Sequence, residues 1–459
     1  MGYRDIKILL IRSLFLFTCL LCAISVTGQK PRLLVTTDIG GDPDDRQSLI
    51  RLMLYACDFE IEGLISSAAG TPGELGESII RPDLIEEVIQ AYATVQPMLI
   101  KHDPDYPGPG ELFPLIKKGN PERGWENVGE GHDTEASEWI IKCADKEDVR
   151  ILNISIWGGQ TDVAQALWKV KNTRKAEAYS HFISKLRIYD IADQDGIFNK
   201  IIENFPGLFY VLNKAPEGED RRNATFRGMY LGGDESLTSM QWFREHVLEG
   251  HGKLGALYPV KTWTDPNPHG LMKEGDTPSW FFFLDNGLND PSNPGYGGWG
   301  GRFTKNNEGY FTGSNDKFGD DFNQRTTVYR WRDDFQREFA ARMDWCVKDY
   351  FDANHAPVVA VNRHVQNDPL VILKRPGRKI RLNASGSSDP DKDELDFEWM
   401  VYPEAGSYDD EPELTAHGPK ADVRIPEMKQ GSELHVILRV TDSGEPRLTA
   451  YKRIIIIKR

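Results

Sequence analysis

The stretch LLVTTDIGGDPDDRQSL, residues 33–49, joins an apolar segment to a loop rich in aspartate. The apolar segment predicts a buried strand, and the residues after the loop predict a helix. Carboxylates on one short loop repel one another, and the repulsion grows as the loop is buried. Ca²⁺ and Mg²⁺ prefer carboxylate oxygens, so a hard cation would relieve this repulsion. The loop predicts a metal site; the alternative is an acidic turn that caps the helix. The loop aspartates are Asp38, Asp42, Asp44 and Asp45.

From residue 30 to about residue 353, short apolar segments alternate with amphipathic ones. This alternation predicts an α/β fold, a mostly parallel sheet flanked by helices. Ligands of such sheets bind at the carboxyl ends of the strands, where the aspartate loop would lie. The predicted strands are Leu33–Thr37, Ile61–Ser66, Arg150–Ile156, Lys185–Ile191 and Thr225–Tyr230. The predicted helices are Asp45–Ala56, Arg81–Thr94, Thr134–Cys143, Thr161–Lys171, Phe198–Phe205 and Phe335–Tyr350.

Residues 262–326 interrupt the alternation and include the Gly- and Asn-rich sequence DNGLNDPSNPGYGGWGGRF, residues 285–303. Long loops of this kind are usually functional or disordered, and the aromatic residues argue against disorder. Aromatic faces stack on sugar rings, so Trp299 and Tyr296 are candidates for sugar contact, with anchoring of the loop as the alternative. Trp157 follows a predicted buried strand, and it either packs in the core or lines the site.

From residue 355 onward the sequence reads as short strands separated by turn signals. This pattern predicts an immunoglobulin-like β-sandwich at residues 355–459, after an α/β domain at residues 29–354. The turn SDPDKD, residues 388–393, resembles the turn of polycystic-kidney-disease-type domains, which implies a candidate Ca²⁺ site, although a solvated turn is the simpler interpretation. Trp399 is predicted to lie in the sandwich core.

The N-terminal residues 1–28 combine basic residues with an apolar run and read as a signal peptide. We therefore expect an exported protein, periplasmic or extracellular, and no later stretch reaches the length of a membrane span. The whole chain has a formal net charge of −15, and removal of residues 1–28 changes it to about −17. This charge argues against nucleic acid as a partner. Cys57, Cys143 and Cys346 are far apart, odd in number and expected to be buried thiols.

The segment TTDIGGDPDD, residues 36–45, resembles the N-terminal fingerprint of the nucleoside hydrolase superfamily. Three later segments resemble that family in the same order along the chain. They are WGGQTDVAQAL at residues 157–167, GIFN at residues 196–199 and EGDTP at residues 274–278. Four matches in order indicate a nucleoside-hydrolase-like domain.

This resemblance implies a Ca²⁺ ion as cofactor. Its implied ligands are Asp38, Asp45, the backbone oxygen of Thr161, and Asp276. Asp38 would also be the catalytic base toward the attacking water. Asp44 and Asn199 would contact sugar hydroxyls. Further candidates for substrate contact are Asp42, which lies in an insertion of the motif, Trp157 and Trp299.

The chain differs from the superfamily at positions near the leaving group. Gly275 replaces a histidine that helps the base depart, Ile197 replaces a glutamate, and the loop residue His269 is a weak candidate for a substitute acid. These differences keep the metal and sugar side of the site while changing nucleobase recognition. The closer resemblance is to a bacterial exported family that is named for a cellulose-binding member and has a C-terminal sandwich.

The resemblance implies a saccharide or nucleoside-like small molecule as partner, including plant cell-wall polysaccharide. The leading hypothesis is a secreted, Ca²⁺-dependent hydrolase that cleaves N-glycosyl bonds, pentofuranosides or a plant saccharide. The alternative is a non-catalytic, cellulose-binding protein on a nucleoside-hydrolase scaffold.

Overall fold

The structure is a computed structural model that describes residues 29–69, 78–261, 272–375, 377–408, 412–425, 427 and 429–458. The predicted signal peptide and His269 lie outside the described residues. The helices are α1 (Asp44–Leu54), α2 (Pro82–His102), α3 (Pro109–Leu112), α4 (Glu135–Ala144), α5 (Gln160–Thr173), α6 (Ala176–Ser184), α7 (Phe198–Asn204), α8 (Met240–Phe243), α9 (Gly252–Ala256), α10 (Thr277–Phe281), α11 (Thr326–Tyr329) and α12 (Arg332–Trp345).

The first ten strands belong to the α/β part of the chain, and the last seven form the sandwich. The first ten are β1 (Arg32–Thr37), β2 (Glu60–Ser66), β3 (Ile116–Lys118), β4 (Leu152–Ile156), β5 (Leu186–Ile191), β6 (Phe209–Asn213), β7 (Phe303–Lys305), β8 (Phe311–Gly313), β9 (Asp316–Phe318) and β10 (Asp321–Asn323). The sandwich strands are β11 (Leu370–Lys374), β12 (Lys379–Asn383), β13 (Asp396–Val401), β14 (Glu413–His417), β15 (Lys420–Arg424), β16 (Glu433–Thr441) and β17 (Thr449–Lys458).

The main sheet has eight strands in the order β3-β2-β1-β4-β5-β6-β8-β7, and the β7–β8 pair is antiparallel while the other pairs are parallel. All six residues of β1 are buried, as expected for a parallel strand that is covered on both faces. The strand order reverses between β1 and β4, so the loops after these two strands open a crevice at the carboxyl edge. The α/β fold class is thus confirmed.

One predicted strand is wrong. Residues Thr225–Met229 form a 3₁₀ helix, and the strand beside β5 is β6, Phe209–Asn213. The alternation of apolar and polar residues at 225–230 resembles a strand, but most of these residues are buried in a turn beyond β6. The amide of Phe226 donates to Oδ1 of Asn213, the last residue of β6, which fixes this turn.

Two predicted helix boundaries also shift. Helix α2 continues through Pro97 to His102, although the sequence pattern predicted an end at Thr94, before this proline. The last helix of the α/β domain spans Arg332–Trp345, so it begins and ends earlier than predicted. Val95 and Leu99, on either side of Pro97, are buried in the core, so the packing of α2 continues past the proline.

The C-terminal strands form a four-stranded sheet, β11-β17-β16-β13, and a three-stranded sheet, β12-β15-β14. Side chains from both sheets, such as Leu382 and Val423 opposite Leu438 and Ile456, form one apolar core. Trp399 belongs to this core, as predicted. The predicted sandwich is therefore confirmed, while the boundary at residue 355 stays a prediction.

The other face of β16 and β17 packs against the α/β domain through the loop 285–303. Nε1 of Trp299 donates to the hydroxyl of Tyr451 at 3.1 Å, and this hydroxyl donates in turn to Asp334. Arg453 donates to two backbone carbonyl groups of the loop, at 2.9 Å each. The aromatic, Gly-rich loop is therefore a docking element between the domains.

The three cysteines of the described chain, Cys57, Cys143 and Cys346, are free and buried, as predicted. Burial raises the pKa of each thiol, which keeps the reactive thiolate form scarce. Among the helices of the described residues, none is both long enough and apolar enough to cross a bilayer.

Candidate functional site

The aspartate loop leaves the carboxyl end of β1 at the crevice. Asp38 directly follows β1, while Asp44 and Asp45 form the first turn of α1. The N-cap position of α1 is Pro43, and no side chain caps the helix. The capping alternative therefore fails, although acidic residues in the first turn suit the positive end of the helix dipole.

Three carboxyl groups meet at this point. One oxygen of each of Asp44, Asp45 and Asp276 lies within 4.8 Å of the other two. Asp45 and Asp276 are 4% and 2% exposed. Asp45 accepts a hydrogen bond from Thr37, whereas Oδ2 of Asp276 is buried and has no donor among the described residues. A buried carboxylate oxygen without a donor is costly unless a cation or a proton meets it.

Burial and mutual repulsion raise the pKa of all three groups. Burial, with Asp42 next, raises the pKa of Asp44 to about 7. Burial and then Asp38 hold the pKa of Asp45 well above its ordinary value, and burial and then Asp44 do the same for Asp276. A divalent cation would oppose this repulsion. A set of anionic oxygen donors fits a hard cation such as Ca²⁺.

Two further aspartates of the loop are paired with basic side chains. Nζ of Lys273 lies 2.7 Å from Oδ2 of Asp42, and Nη2 of Arg123 lies 2.8 Å from Oδ2 of Asp38. All four side chains are at least nine-tenths buried. These two pairs balance the charges of Asp42 and Asp38. Neither pair balances the negative charge of the cluster formed by Asp44, Asp45 and Asp276.

Arg123 and Asp195 also lie at the candidate site, and the sequence analysis missed them. Arg123 donates to Asp38 and to the carbonyl oxygen of Ala68 at 3.0 Å. Its Nε lies 3.8 Å from Oδ1 of Asp195, and Oδ2 of Asp195 accepts hydrogen bonds from the amide and the hydroxyl of Thr161 at 2.8 and 2.7 Å. Asp195 lies four residues after the end of β5, in the loop at the same edge of the sheet as Asp38, and this loop position was the available signal.

Helix α1 positions the segment that carries Asp276. Gln47 and Arg51 are four residues apart, so they lie on the same helix face. Oε1 of Gln47 accepts the amides of Lys273 and Glu274, at 2.9 and 3.2 Å. Arg51 forms a fully buried ion pair with Glu274 at 2.5 Å. Glu274 has a φ of +35°, an uncommon conformation that these contacts stabilise.

The two glycines after Trp157 allow the β4 loop to approach Asp38. A Cβ atom at Gly158 would lie 2.7 Å from Cβ of Asp38, and one at Gly159 would lie 2.2 Å from Oγ of Ser67. Both glycines have positive φ values, +151° and +79°. Gly158 and Gly159 therefore form part of the wall of the site. A side chain at either position would clash with the neighbouring loops, which explains the two glycines of the WGGQT segment.

The structure places the two predicted tryptophans in the core. Trp157 is fully buried, and its Nε1 donates to Oγ of Ser155 and of Ser279 at 2.9 and 2.8 Å. Trp299 is also fully buried in the domain junction. Neither ring offers a face to a sugar, which corrects this part of the sequence analysis. Tyr296 anchors the loop by donating to Glu433 at 3.0 Å.

Two further residues, Thr161 and Asn199, were predicted to take part in the site. Thr161 lies in the first turn of α5 and is linked to the site through Asp195 and Arg123, and its role as a carbonyl ligand stays a prediction. Asn199 is exposed on α7, and its predicted contact with sugar also stays untested. Thr134, the first residue of the predicted helix, is the N-cap of α4 and accepts from the amide of Ser137.

Comparison with known proteins agrees with this architecture. Residues 32–303 match the family model described as cellulose-binding Sde182, nucleoside hydrolase-like domain. Residues 379–458 match the C-terminal domain of the cellulose-binding protein Sde0182. A solved nucleoside hydrolase-related protein from Saccharophagus degradans, described as associated with carbohydrate metabolism, is 33% identical, with a TM-score of 0.79. The alignment covers 94% of this chain and 100% of that protein.

Two other solved structures are much less similar. A mouse clustered protocadherin is 20% identical over 20% of this chain and 30% of its own, with a TM-score of 0.14. An endo-fucoidan hydrolase of glycoside hydrolase family 107 is 12% identical over 94% of this chain and 80% of its own, with a TM-score of 0.18. Neither likeness carries an argument about this protein, and comparison with curated proteins gives no match.

The first family model spans more than half of the chain, the second covers most of the sandwich, and the S. degradans relative extends over nearly all of it. This chain belongs to the cellulose-binding Sde182 family, with a nucleoside hydrolase-like domain followed by the Sde0182 C-terminal domain.

Proposed function

We propose that this chain is an exported, Ca²⁺-dependent hydrolase of glycosidic bonds in a saccharide. The observation that carries the proposal is the grouping of Asp44, Asp45 and Asp276 beside Asp38 at the carboxyl edge of the sheet. The description of the family as cellulose-binding supports a saccharide as ligand. So does the association of the S. degradans relative with carbohydrate metabolism.

The proposed roles follow from position and charge. Asp45 and Asp276, with the backbone oxygen of Thr161, would hold the cation. Bound Ca²⁺ would supply a positive charge that orients a water molecule and two sugar hydroxyls. Asp44 is less buried than Asp45 and would accept hydrogen bonds from the sugar. Asp38 would take one proton of the water as the water oxygen bonds to the anomeric carbon and the glycosidic bond breaks, and solvent water would give the leaving group its proton.

Gly275 lies beside the acidic cluster, at the position where the resemblance would place a leaving-group histidine. A Cβ atom there would lie 3.2 Å from the Phe226 ring and 3.4 Å from Oδ2 of Asp44. A larger side chain would therefore crowd the cluster, and glycine itself carries no acidic group that could protonate the leaving group. A pentofuranoside, an N-glycosyl compound and a plant cell-wall saccharide are the substrate types to test.

A second candidate is saccharide binding without turnover, and one observation favours it. Oδ2 of Asp38 already accepts a charged hydrogen bond from Arg123 at 2.8 Å. An oxygen in such a bond is a weaker proton acceptor than a free carboxylate oxygen. In this case the site would hold the sugar at a cation and would release it unchanged.

The experiment uses the chain without residues 1–28 and measures reducing sugar released in Ca²⁺ and in EDTA. The substrates are cello-oligosaccharides, arabinofuranosides and the nucleosides inosine and uridine. Retention on insoluble cellulose is measured in the same buffers. Asp38→Asn removes the proposed base, Asp276→Asn removes a cation ligand, and Asp105→Asn, at an exposed aspartate, is the matched control.

Three outcomes separate the candidates. Release that needs Ca²⁺ and is lost in Asp38→Asn, but not in Asp105→Asn, supports the hydrolase. Ca²⁺-dependent retention on cellulose without release, lost only in Asp276→Asn, supports the binding protein. The third outcome is release or retention that is the same in EDTA as in Ca²⁺, and the same in Asp276→Asn as in the wild-type chain. This result contradicts a role for the cluster in either function.

A further inference from the structure

A second group of acidic residues lies in the sandwich, in the turn between β12 and β13. Asp389, Asp391 and Asp393 alternate along the turn, and one oxygen of each lies within 4.8 Å of the other two. The amides of Asp391 and Asp393 donate to Oδ1 of Asp389 at 2.8 and 3.1 Å. This turn therefore brings three partly buried carboxylates together, and their mutual repulsion has a cost.

Two oxygen atoms at this turn are buried and have no donor among the described residues. One is Oδ2 of Asp389. The other is Oδ1 of Asn354, a residue that is only 6% exposed. Nδ2 of Asn354 donates to Asp442 at 3.0 Å and to the carbonyl oxygen of Pro446 at 2.8 Å. These two bonds fix the amide orientation, so the oxygen cannot exchange places with the nitrogen.

Asn354 and the turn line the same cleft, which has a volume of about 360 Å³. Asp391 and Asp393 form one side of it, and Gly444 lies against Asn354. A Cβ atom at Gly444 would come within 2.3 Å of the amide of Asn354, so only glycine leaves the amide in place. The cleft thus joins two acidic side chains to an unpartnered amide oxygen.

We infer that Asp391, Asp393 and Asn354, which line this cleft, form a Ca²⁺ site together with the neighbouring Asp389, separate from the proposed site in the α/β domain. Ca²⁺ takes six to eight oxygens at about 2.3–2.6 Å and accepts carboxylate, amide and water oxygens together. Opposite ligands of Ca²⁺ then lie about 4.6–5.2 Å apart, and the three carboxylate oxygens are no farther from one another than this. Mg²⁺ fits less well, since it needs a tighter octahedral shell.

The location gives the ion a role at the domain junction. Asn354 lies between α12 and the sandwich, whereas the acidic turn belongs to the sandwich itself. The next residue, His355, already contacts Asp391 through its amide at 2.8 Å and its Nδ1 at 3.0 Å. A cation shared by Asn354 and the turn would stabilise the connection between the two domains.

The test titrates Ca²⁺ alone into the EDTA-stripped chain of residues 29–459 by calorimetry. Asp389→Asn is the main variant, because its Oδ1 can still accept the two amides while the unpartnered oxygen is replaced. Asp393→Asn is a second variant in the same turn. Glu394→Gln is the matched control, since it removes one negative charge from an exposed neighbour. Asp276→Asn separates this site from the proposed site in the α/β domain.

We expect Asp389→Asn and Asp393→Asn to weaken one Ca²⁺-binding event by at least about tenfold. Glu394→Gln and Asp276→Asn should leave that event unchanged. In EDTA the two turn variants should melt no lower than the control, because loss of a charge relieves repulsion. Unchanged Ca²⁺ binding in both turn variants would overturn the inference. So would a lower melting temperature of both in EDTA, which would indicate a purely structural role.

Discussion

Nη2 of Arg123 lies 2.8 Å from Oδ2 of Asp38, and both side chains are buried. The same guanidinium approaches Oδ1 of Asp195 at 3.8 Å. One cationic side chain is thus shared between carboxylates that follow β1 and β5. Arg123 balances the charge of Asp38 from within the protein, while Asp44, Asp45 and Asp276 remain as the acidic part of the site.

This pair leads to a prediction for Arg123→Gln. Loss of one partner leaves Asp38 buried without its cation, which costs about 3–5 kcal/mol of unfolding free energy. Added Ca²⁺ should recover part of this loss, because a bound cation restores positive charge near Asp38. The measurement is urea unfolding in EDTA and in Ca²⁺.

Arg222→Gln is the control for that experiment, because Arg222 also pairs with an aspartate, Asp220, but at the exposed surface. Arg222→Gln should lower the free energy of unfolding by at most about 1 kcal/mol. If Arg123→Gln is destabilised equally in EDTA and in Ca²⁺, Arg123 has no electrostatic connection with a cation at this site.

Asp276→Asn should change stability in opposite directions with and without Ca²⁺. Its Oδ2 is buried without a donor, so an amide nitrogen in its place can donate to the neighbouring carboxylates. The free energy of unfolding in EDTA should rise by about 1–3 kcal/mol. The stabilisation that Ca²⁺ gives the wild-type chain should fall. Thermal unfolding in both buffers measures this, with Asp105→Asn as the exposed control. Lower stability in EDTA would contradict the repulsion on which the cation site depends.

The position of the site was predictable, because a buried strand that ends in aspartate identifies the carboxyl edge of a parallel sheet. Arg123 was not, because the strand before it, β3, has only three residues and no recognisable periodicity. Its partner Asp38 is 85 residues away in the chain. Contacts of this kind are set by tertiary structure and leave no local pattern in the sequence.

Trp299 shows a different limit of the sequence. Glycine, asparagine and aromatic residues are typical both of loops that bind sugars and of loops that dock against another domain. The sandwich hydroxyl of Tyr451, which accepts from Nε1 of Trp299, decides between them here. That residue lies 152 positions away, so composition alone left sugar contact and loop anchoring both open for a ring that is buried.

The two glycines Gly159 and Gly196 offer a matched test of the loop after β4. Both have positive φ values, +79° and +69°. A Cβ atom at Gly196 would meet nothing within 4 Å, whereas one at Gly159 would lie 2.2 Å from Oγ of Ser67. Gly196→Ala should lower the free energy of unfolding by about 1–2 kcal/mol, because of backbone strain alone. Gly159→Ala should lose about 1–3 kcal/mol more, from overpacking. Urea unfolding measures both, and equal losses would show that the loop adapts without affecting the site.

Tyr451→Phe tests the domain junction. Its hydroxyl joins Trp299 to Asp334, and both partners are buried. Removal should cost about 1–3 kcal/mol, since it leaves a buried donor and a buried acceptor with one partner fewer. Tyr179→Phe is the control, because the Tyr179 hydroxyl is buried without a hydrogen-bond partner in the described structure. Tyr179→Phe should leave the free energy of unfolding nearly unchanged in the same denaturation experiment. Equal effects would mean that the junction bond contributes nothing specific.

Acid should weaken the same junction through His435. This histidine is fully buried on β16, and burial is the main reason that its pKa lies below the ordinary value of 6.5. Arg453, 3.1 Å from Nδ1, lowers the pKa further, whereas Glu433, whose Oε2 lies 3.5 Å from Nε2, partly opposes the shift. The ring also packs edge-on against Tyr296. The folded protein therefore favours the neutral imidazole.

The sign of the effect follows from proton binding. Below about pH 6.5 the unfolded chain takes up a proton at this histidine while the folded chain does not, so acid favours unfolding. The contribution of neutral His435 is complete above that pH and is lost as the pH falls towards the lower folded pKa. His435→Gln should therefore reduce the loss of stability between about pH 7 and about pH 5, relative to wild type. His181→Gln, at an exposed histidine, should keep the wild-type dependence. Urea unfolding across this range measures the difference, and an unchanged pH dependence in His435→Gln would assign the acid sensitivity to other groups.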